Sequence, residues 1–192
     1  MAYFYFDIET CPINKEGYLS KDETERKKFM NPIDSKIIAI GIKQNGQEEV
    51  IIQSDNEKKM LEEFWAELST FRKGDYSNKI VGFNVKDFDL PFIVTRSFIN
   101  NVTIVPFLLK DIVDVRENLS AFRYGKVRGK LKEFASFIGI EIMEDIDGEK
   151  VATEYWAGNI EKIKKYLKKD LEITESIHQR IVNLRISEIQ RW

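Results

Sequence analysis

The sequence predicts an α/β fold, a central mixed β-sheet flanked by helices, and three observations carry that expectation. The opening segment, Tyr3-Phe4-Tyr5-Phe6-Asp7-Ile8-Glu9, is aromatic and β-branched, apolar on both faces until the acids appear, and reads as an interior strand. Lys36–Lys43 and Glu48–Gln53 are two more strands, joined through Asn45-Gly46, a tight-turn pair that makes them a hairpin. Beyond them, helical and extended patterns alternate, which adds strands in crossover units beside the hairpin. A chain of 192 residues is long enough for one domain with a full core and short for two, so residues 1–192 are expected to form a single domain.

The remaining elements follow in order. The polar stretch Lys15–Lys28 reads as a loop with a short helix. Ser54 with Glu57 fits a capping box, and Met60, Leu61, Phe64, Trp65, Leu68 and Phe71 then recur at helical spacing, giving that helix one buried face. Lys79–Gly82 is a short strand, Phe88–Ile99 a helix, and Val105–Val115 contains another strand. Leu131–Ile138 is a helix stopped by Gly139, and the last helix runs from Ile160 to Arg185. There is no internal repeat or low-complexity tract; Gly125–Gly129, with Lys126, Arg128 and Lys130, reads as a mobile basic loop.

Composition narrows the function classes. No run of eighteen apolar residues spans a membrane, and the start of the chain lacks the pattern of a secretory signal, so a cytoplasmic protein is expected. One cysteine, Cys11, excludes an internal disulfide and a cysteine-based zinc site. One histidine, His178, argues against zinc hydrolases, which need two or three, and reads as an exposed or capping residue. A net charge of −2 exerts no overall pull on nucleic acid, so any such contact must be local.

Three groups of acids need a reason. Asp7 and Glu9 lie two apart in a strand and therefore point to one face. Two carboxylates ~4 Å apart repel by roughly 4 kcal/mol at an effective dielectric near 20, and a divalent cation between them reverses the sign. Taken alone, the pair equally fits a strand end meeting solvent. At the junction Gly82-Phe83-Asn84-Val85-Lys86-Asp87-Phe88-Asp89, Asp87 reads as a helix cap, whereas Asp89 is enclosed by Phe88, Leu90 and Phe92. Tyr166 and Asp170, four apart on the last helix, face the same point. Alone they would be a core aromatic and a surface charge.

Together, in this order, the groups resemble the DEDD (DnaQ-like) 3′→5′ exonuclease superfamily, closest to the proofreading exonuclease domain of family B DNA polymerases and its stand-alone relatives. Phe6-Asp7-Ile8-Glu9-Thr10 resembles the first motif, Gly82-Phe83-Asn84 through Phe88-Asp89 to Pro91-Phe92 the second, and Tyr166 to Asp170 the third. Tyrosine at 166, with Lys165 where the sister branch has a histidine, indicates the tyrosine subclass.

The resemblance implies an RNase H-like fold. It implies two divalent ions, magnesium or manganese, held by Asp7, Glu9, Asp89 and Asp170, with Asp7 bridging and Tyr166 orienting the attacking water. Asn84 and the backbone around Thr10 would hold the terminal nucleotide of a single-stranded DNA, with Phe88 against its sugar or base or simply in the core. Lys126, Arg128, Lys130 and Lys132 are candidates for nonspecific grip, or a solvated basic face. An exoribonuclease and a silent nucleic-acid-binding domain of the same fold stay open. No polymerase palm or thumb is present, so the implied enzyme acts alone or docks on a polymerase or repair partner. The 15–36 insertion lies close to the first motif, but its sequence does not say how it shapes the entrance.

Overall fold

The structure, a computed structural model, describes residues 2–73, 78–122 and 129–189. Among them a five-stranded mixed sheet runs in the order β3-β2-β1-β4-β5, with β1 (Tyr3–Pro12) at its centre. β2 (Ser35–Gln44) pairs with β1 antiparallel and β3 (Val50–Ile52) extends that hairpin. On the other side β4 (Lys79–Gly82) and β5 (Ile112–Asp114) run parallel to β1. This is the α/β architecture, a central mixed sheet flanked by helices, that the sequence predicts.

β1 is central because both of its faces are buried. Phe4, Phe6 and Ile8 point to one face and pack under α3 (Glu57–Arg72) and α4 (Asp89–Ile99), against Phe64, Trp65 and Phe92. Tyr5 points to the other face, which α8 (Ile160–Asn183) covers with Leu171, Ile177 and Ile181. Asp7 and Glu9 share the Tyr5 side by strand alternation, so they lie beneath α8. That helix comes unusually close. Gly41, the β2 partner of Asp7, has no side chain, and a Cβ there would stand 2.8 Å from both Leu167 Cγ and Leu171 Cδ1.

The other segments depart from the sequence reading in instructive ways. The polar stretch holds two short helices, α1 (Lys15–Leu19) and α2 (Glu23–Lys27), opened by the side chains of Asn14 and Asp22. α3 is capped by Asn56, not Ser54: Asn56 Oδ1 accepts from the Lys59 N–H at 3.2 Å. Glu57 is drawn instead to Arg96 and to the Ile37 N–H, a tertiary demand that outbids the local capping box. The strand expected within Val105–Val115 is Ile112–Asp114, preceded by a 3₁₀ turn over Leu109–Asp111.

Two short helices, α5 (Val115–Leu119) and α6 (Leu131–Phe137), pack beside α8, and α7 (Val151–Trp156), unforeseen in the sequence, covers the end of β1 through Val151 and Ala152. His178 is not exposed. It is 2% accessible, bonds the Tyr5 hydroxyl through Nδ1 at 3.0 Å, and burial lowers its pKa to about 4. Cys11 is fully buried, and burial raises its thiol to about 12, which fits a packing role. No helix among the described residues is long and apolar enough to cross a membrane.

Replacing Gly41 by valine drives the new side chain into Leu167 and Leu171. We expect Gly41→Val to lower unfolding free energy by about 1–3 kcal/mol, read as a fall in the urea midpoint. An unchanged midpoint would show that α8 does not depend on this contact.

Candidate active site

The carboxyl groups gather where β1 passes under α8. Ligand atoms of Asp7, Glu9 and Asp170 all lie within 4.8 Å of one another. β1 presents the first two on one face, just before its register against β2 shifts between Glu9 and Thr10. α8 supplies Asp170, with Tyr166 one turn earlier on the same buried stripe. Asp89 joins through Asp7 and not through the three-way cluster. It sits in the first turn of α4, is 2% accessible, and accepts the Ile8 N–H at 3.1 Å, the same N–H that Asp7 accepts at 3.0 Å. Asp87 is exposed and caps nothing; Phe88 holds the cap position without a side-chain bond. The cap reading fails because the chain between Asn84 and Asp89 is occupied by a separate turn, closed by the Phe88 N–H on the Asn84 carbonyl.

Burial and mutual repulsion dominate the titration of these groups. Burial raises Asp7 to about 6, against the lowering effect of its bonds to Asp89 and the Ile8 N–H. Burial raises Asp170 to about 7, with Asp7 adding repulsion and Tyr166 and Lys132 opposing it. Glu9 and Asp89 stand well above the usual carboxyl range, first through burial and then through Asp7. The Tyr166 hydroxyl is also pushed up, by burial and then by Asp170 and Glu9, so it stays protonated.

At this site two buried oxygens of the described residues lack a hydrogen-bond partner, Thr10 Oγ1 and Asp170 Oδ1. An all-oxygen cluster of this kind, with an orphaned carboxylate oxygen, fits a hard divalent cation.

The sequence reading offers Lys132 as a grip on the strand or as part of a solvated basic face; the fold makes it half-buried and lines the pocket with it. Its Nζ stands 4.7 Å over the Tyr166 ring, donates to the Met143 carbonyl at 2.6 Å and to that of Ile146, and its charge lowers Glu9 and Asp170. Sequence spacing carries no sign of this, since the partners lie in a distant irregular segment. Lys130 stays exposed beside Glu149, and Lys126 and Arg128 fall outside the described residues.

A pocket of about 530 Å³ opens over the cluster, and Glu9, Thr10, Asn84, Phe88, Tyr166 and Asp170 line it. Phe88 serves the core as well, its ring 5.1 Å from that of Phe92. The 15–36 insertion forms another wall through Tyr18, Arg26 and Met30. That wall is braced: Arg26 stacks 5.2 Å over the Tyr18 ring and donates to the Tyr18 and Leu19 carbonyls at 3.2 and 3.0 Å. A larger cavity, about 860 Å³, lies at the opposite end of β4 around Arg72, Lys79 and Asp111. There the carboxylate is already paired with both cations, at 2.9 and 3.0 Å, which leaves the carboxyl-lined pocket as the candidate site.

In the window from about pH 4 to about 7, the folded chain keeps protons on Asp7 and Asp170 that the unfolded chain has released. Stability therefore falls as pH rises through that window. Without divalent ions the melting temperature should drop between about pH 5 and pH 8, and Asp7→Asn should flatten the drop. A wild-type melting temperature that rises across this range would refute the buried-cluster electrostatics.

Comparison with known proteins gives the fold its family. Among curated proteins, none matches the sequence. The structure is similar to that of the family B DNA polymerase from the hyperthermophilic archaeon Pyrobaculum calidifontis, with a TM-score of 0.71 and 18% identity. The similarity covers 97% of this chain and 25% of the polymerase chain. Residues 23–182 match the RNase H superfamily, and the chain belongs to that superfamily.

Proposed function

We propose that the chain is a divalent-metal-dependent 3′→5′ exonuclease of the DEDD type, tyrosine subclass, acting on single-stranded DNA and releasing nucleoside 5′-monophosphates. The observation that carries this reading is the convergence of Asp7, Glu9 and Asp170, of which Glu9 and Asp170 line a pocket together with Tyr166. Similarity to one segment of a DNA polymerase favours DNA over RNA.

Asp7, Glu9 and Asp170 would hold one cation, and Asp7 with Asp89 a second. Bound there, hard cations supply Lewis-acid activation of water and neutralise charge on the leaving oxygen. The chain's own groups do the rest. Tyr166, kept protonated, orients the attacking water as a hydrogen-bond donor and is not the base. Lys132, fixed by two carbonyls, stacks on the Tyr166 ring and limits the repulsion between Glu9 and Asp170. Thr10 and Asn84 hold the terminal nucleotide, and Phe88 packs against it from the pocket wall.

A 5′-labelled single-stranded DNA oligonucleotide, beside a matching RNA, tests the reading. With Mn²⁺ or Mg²⁺ the DNA should shorten in a ladder from its 3′ end. Asp7→Ala should reduce the rate by about a thousand-fold or more, and Tyr166→Phe by roughly 10–100-fold. Mn²⁺ should also raise the melting temperature of the wild type and leave that of Asp7→Ala unchanged. Intact oligonucleotides under every metal would sink the catalytic reading, and faster loss of RNA would reassign the substrate.

A further inference from the structure

Asn84 is held from two sides by residues outside every motif. Its backbone lies in the left-handed region, at φ 60°, a conformation that costs a non-glycine residue about 1–2 kcal/mol. Asp114 offsets that strain. One of its carboxylate oxygens accepts the Asn84 N–H at 3.0 Å and the other accepts the Lys86 N–H at 3.0 Å. The same carboxylate caps α5 by accepting the N–H groups of Arg116 and Glu117 at 3.0 and 3.3 Å. One buried acid thus ties the turn carrying Asn84 to the first turn of α5.

Arg116, seated in that turn, reaches back and donates Nη1 to Asn84 Oδ1 at 3.0 Å. A guanidinium has only donors, so the amide must turn its carbonyl toward Arg116. The Nδ2 hydrogens are then left for the pocket that Asn84 lines with Phe88 and Glu9. Without Arg116 the amide is free to flip and offer its oxygen, which repels a phosphate or sugar oxygen.

We propose that Arg116, anchored by Asp114, is a positioning residue that fixes the Asn84 amide as a hydrogen-bond donor to an oxygen of the terminal nucleotide. This rests on the reading that Asn84 touches the substrate strand. Arg116 does not meet the strand itself and acts only through Asn84.

A double-mutant cycle on the full chain tests it, with Asn84→Ala, Arg116→Ala, the pair combined, and Arg116→Lys. Each variant is assayed for kcat and KM on single-stranded DNA, for thermal melting, and for affinity to a 5′-fluorescein-labelled oligonucleotide in a chelator. Asn84→Ala and Arg116→Ala should each raise KM about tenfold with kcat held within about threefold, and the double variant should be no worse than Asn84→Ala. Arg116→Lys, which keeps a donor, should recover part of the loss. Additive losses in the double variant, a fall in kcat at constant KM, or no change at all overturns the proposal. A wild type that binds without cleaving removes the exonuclease reading alone, and the affinity cycle then decides on Arg116. A wild type that neither cleaves nor binds overturns both.

Discussion

The distance between α8 and the sheet, set where Gly41 leaves room for Leu167 and Leu171, is the dimension on which the rest of the site depends. Asp7 is the strand neighbour of Gly41, and Asp170 lies on α8 between those two leucines. A larger residue at 41 would lift the helix from the strand and separate acids that now share one small volume. The apolar packing on both faces of β1 holds that approach against the repulsion it creates.

Those carboxyls are poorly neutralised by the chain itself. Among the described residues one lysine, Lys132, lowers Glu9 and Asp170, while burial and repulsion from Asp7 raise Asp89. The protein therefore carries a deficit of positive charge at a buried point, and it keeps two oxygens, on Thr10 and Asp170, without partners. Such features are expensive in a site that only stabilises a fold. They fit the cation and the polar ligand of the proposed function.

Much of the fold was legible in the sequence because local pattern and tertiary role agree in the long elements. The β1 run, the Asn45-Gly46 hairpin, the apolar stripe of α3 and the long α8 follow from alternation and helical spacing. Where the two levels disagree, the sequence misleads. Glu57 looks like a capping residue yet is claimed by Arg96 and the start of β2. His178 looks like a polar surface residue yet is buried against Tyr3 and Tyr5, whose hydroxyl satisfies it. α7, too short to announce itself by period, has no counterpart in the sequence reading.

At the site, strand and helix spacing bring Asp7 with Glu9, and Tyr166 with Asp170, to one face, but only the order of the groups along the chain, as a resemblance, singled them out. Lys132, Asp114 and Arg116 were not legible, because each owes its place to a partner far along the chain, and a single residue type at such a separation has no period to read.

The braced wall built by Tyr18 and Arg26 has a consequence of a different kind. It is attached to the β1–β2 connection, while the acids belong to β1, α4 and α8, so the two are separate in the chain though adjacent in space. Insertions or exchanges within that connection can recast the rim of the pocket while leaving the carboxyl geometry untouched. Under the proposed function the fold would divide its labour: chemistry would rest on the sheet and α8, and admission to the pocket on the insertion.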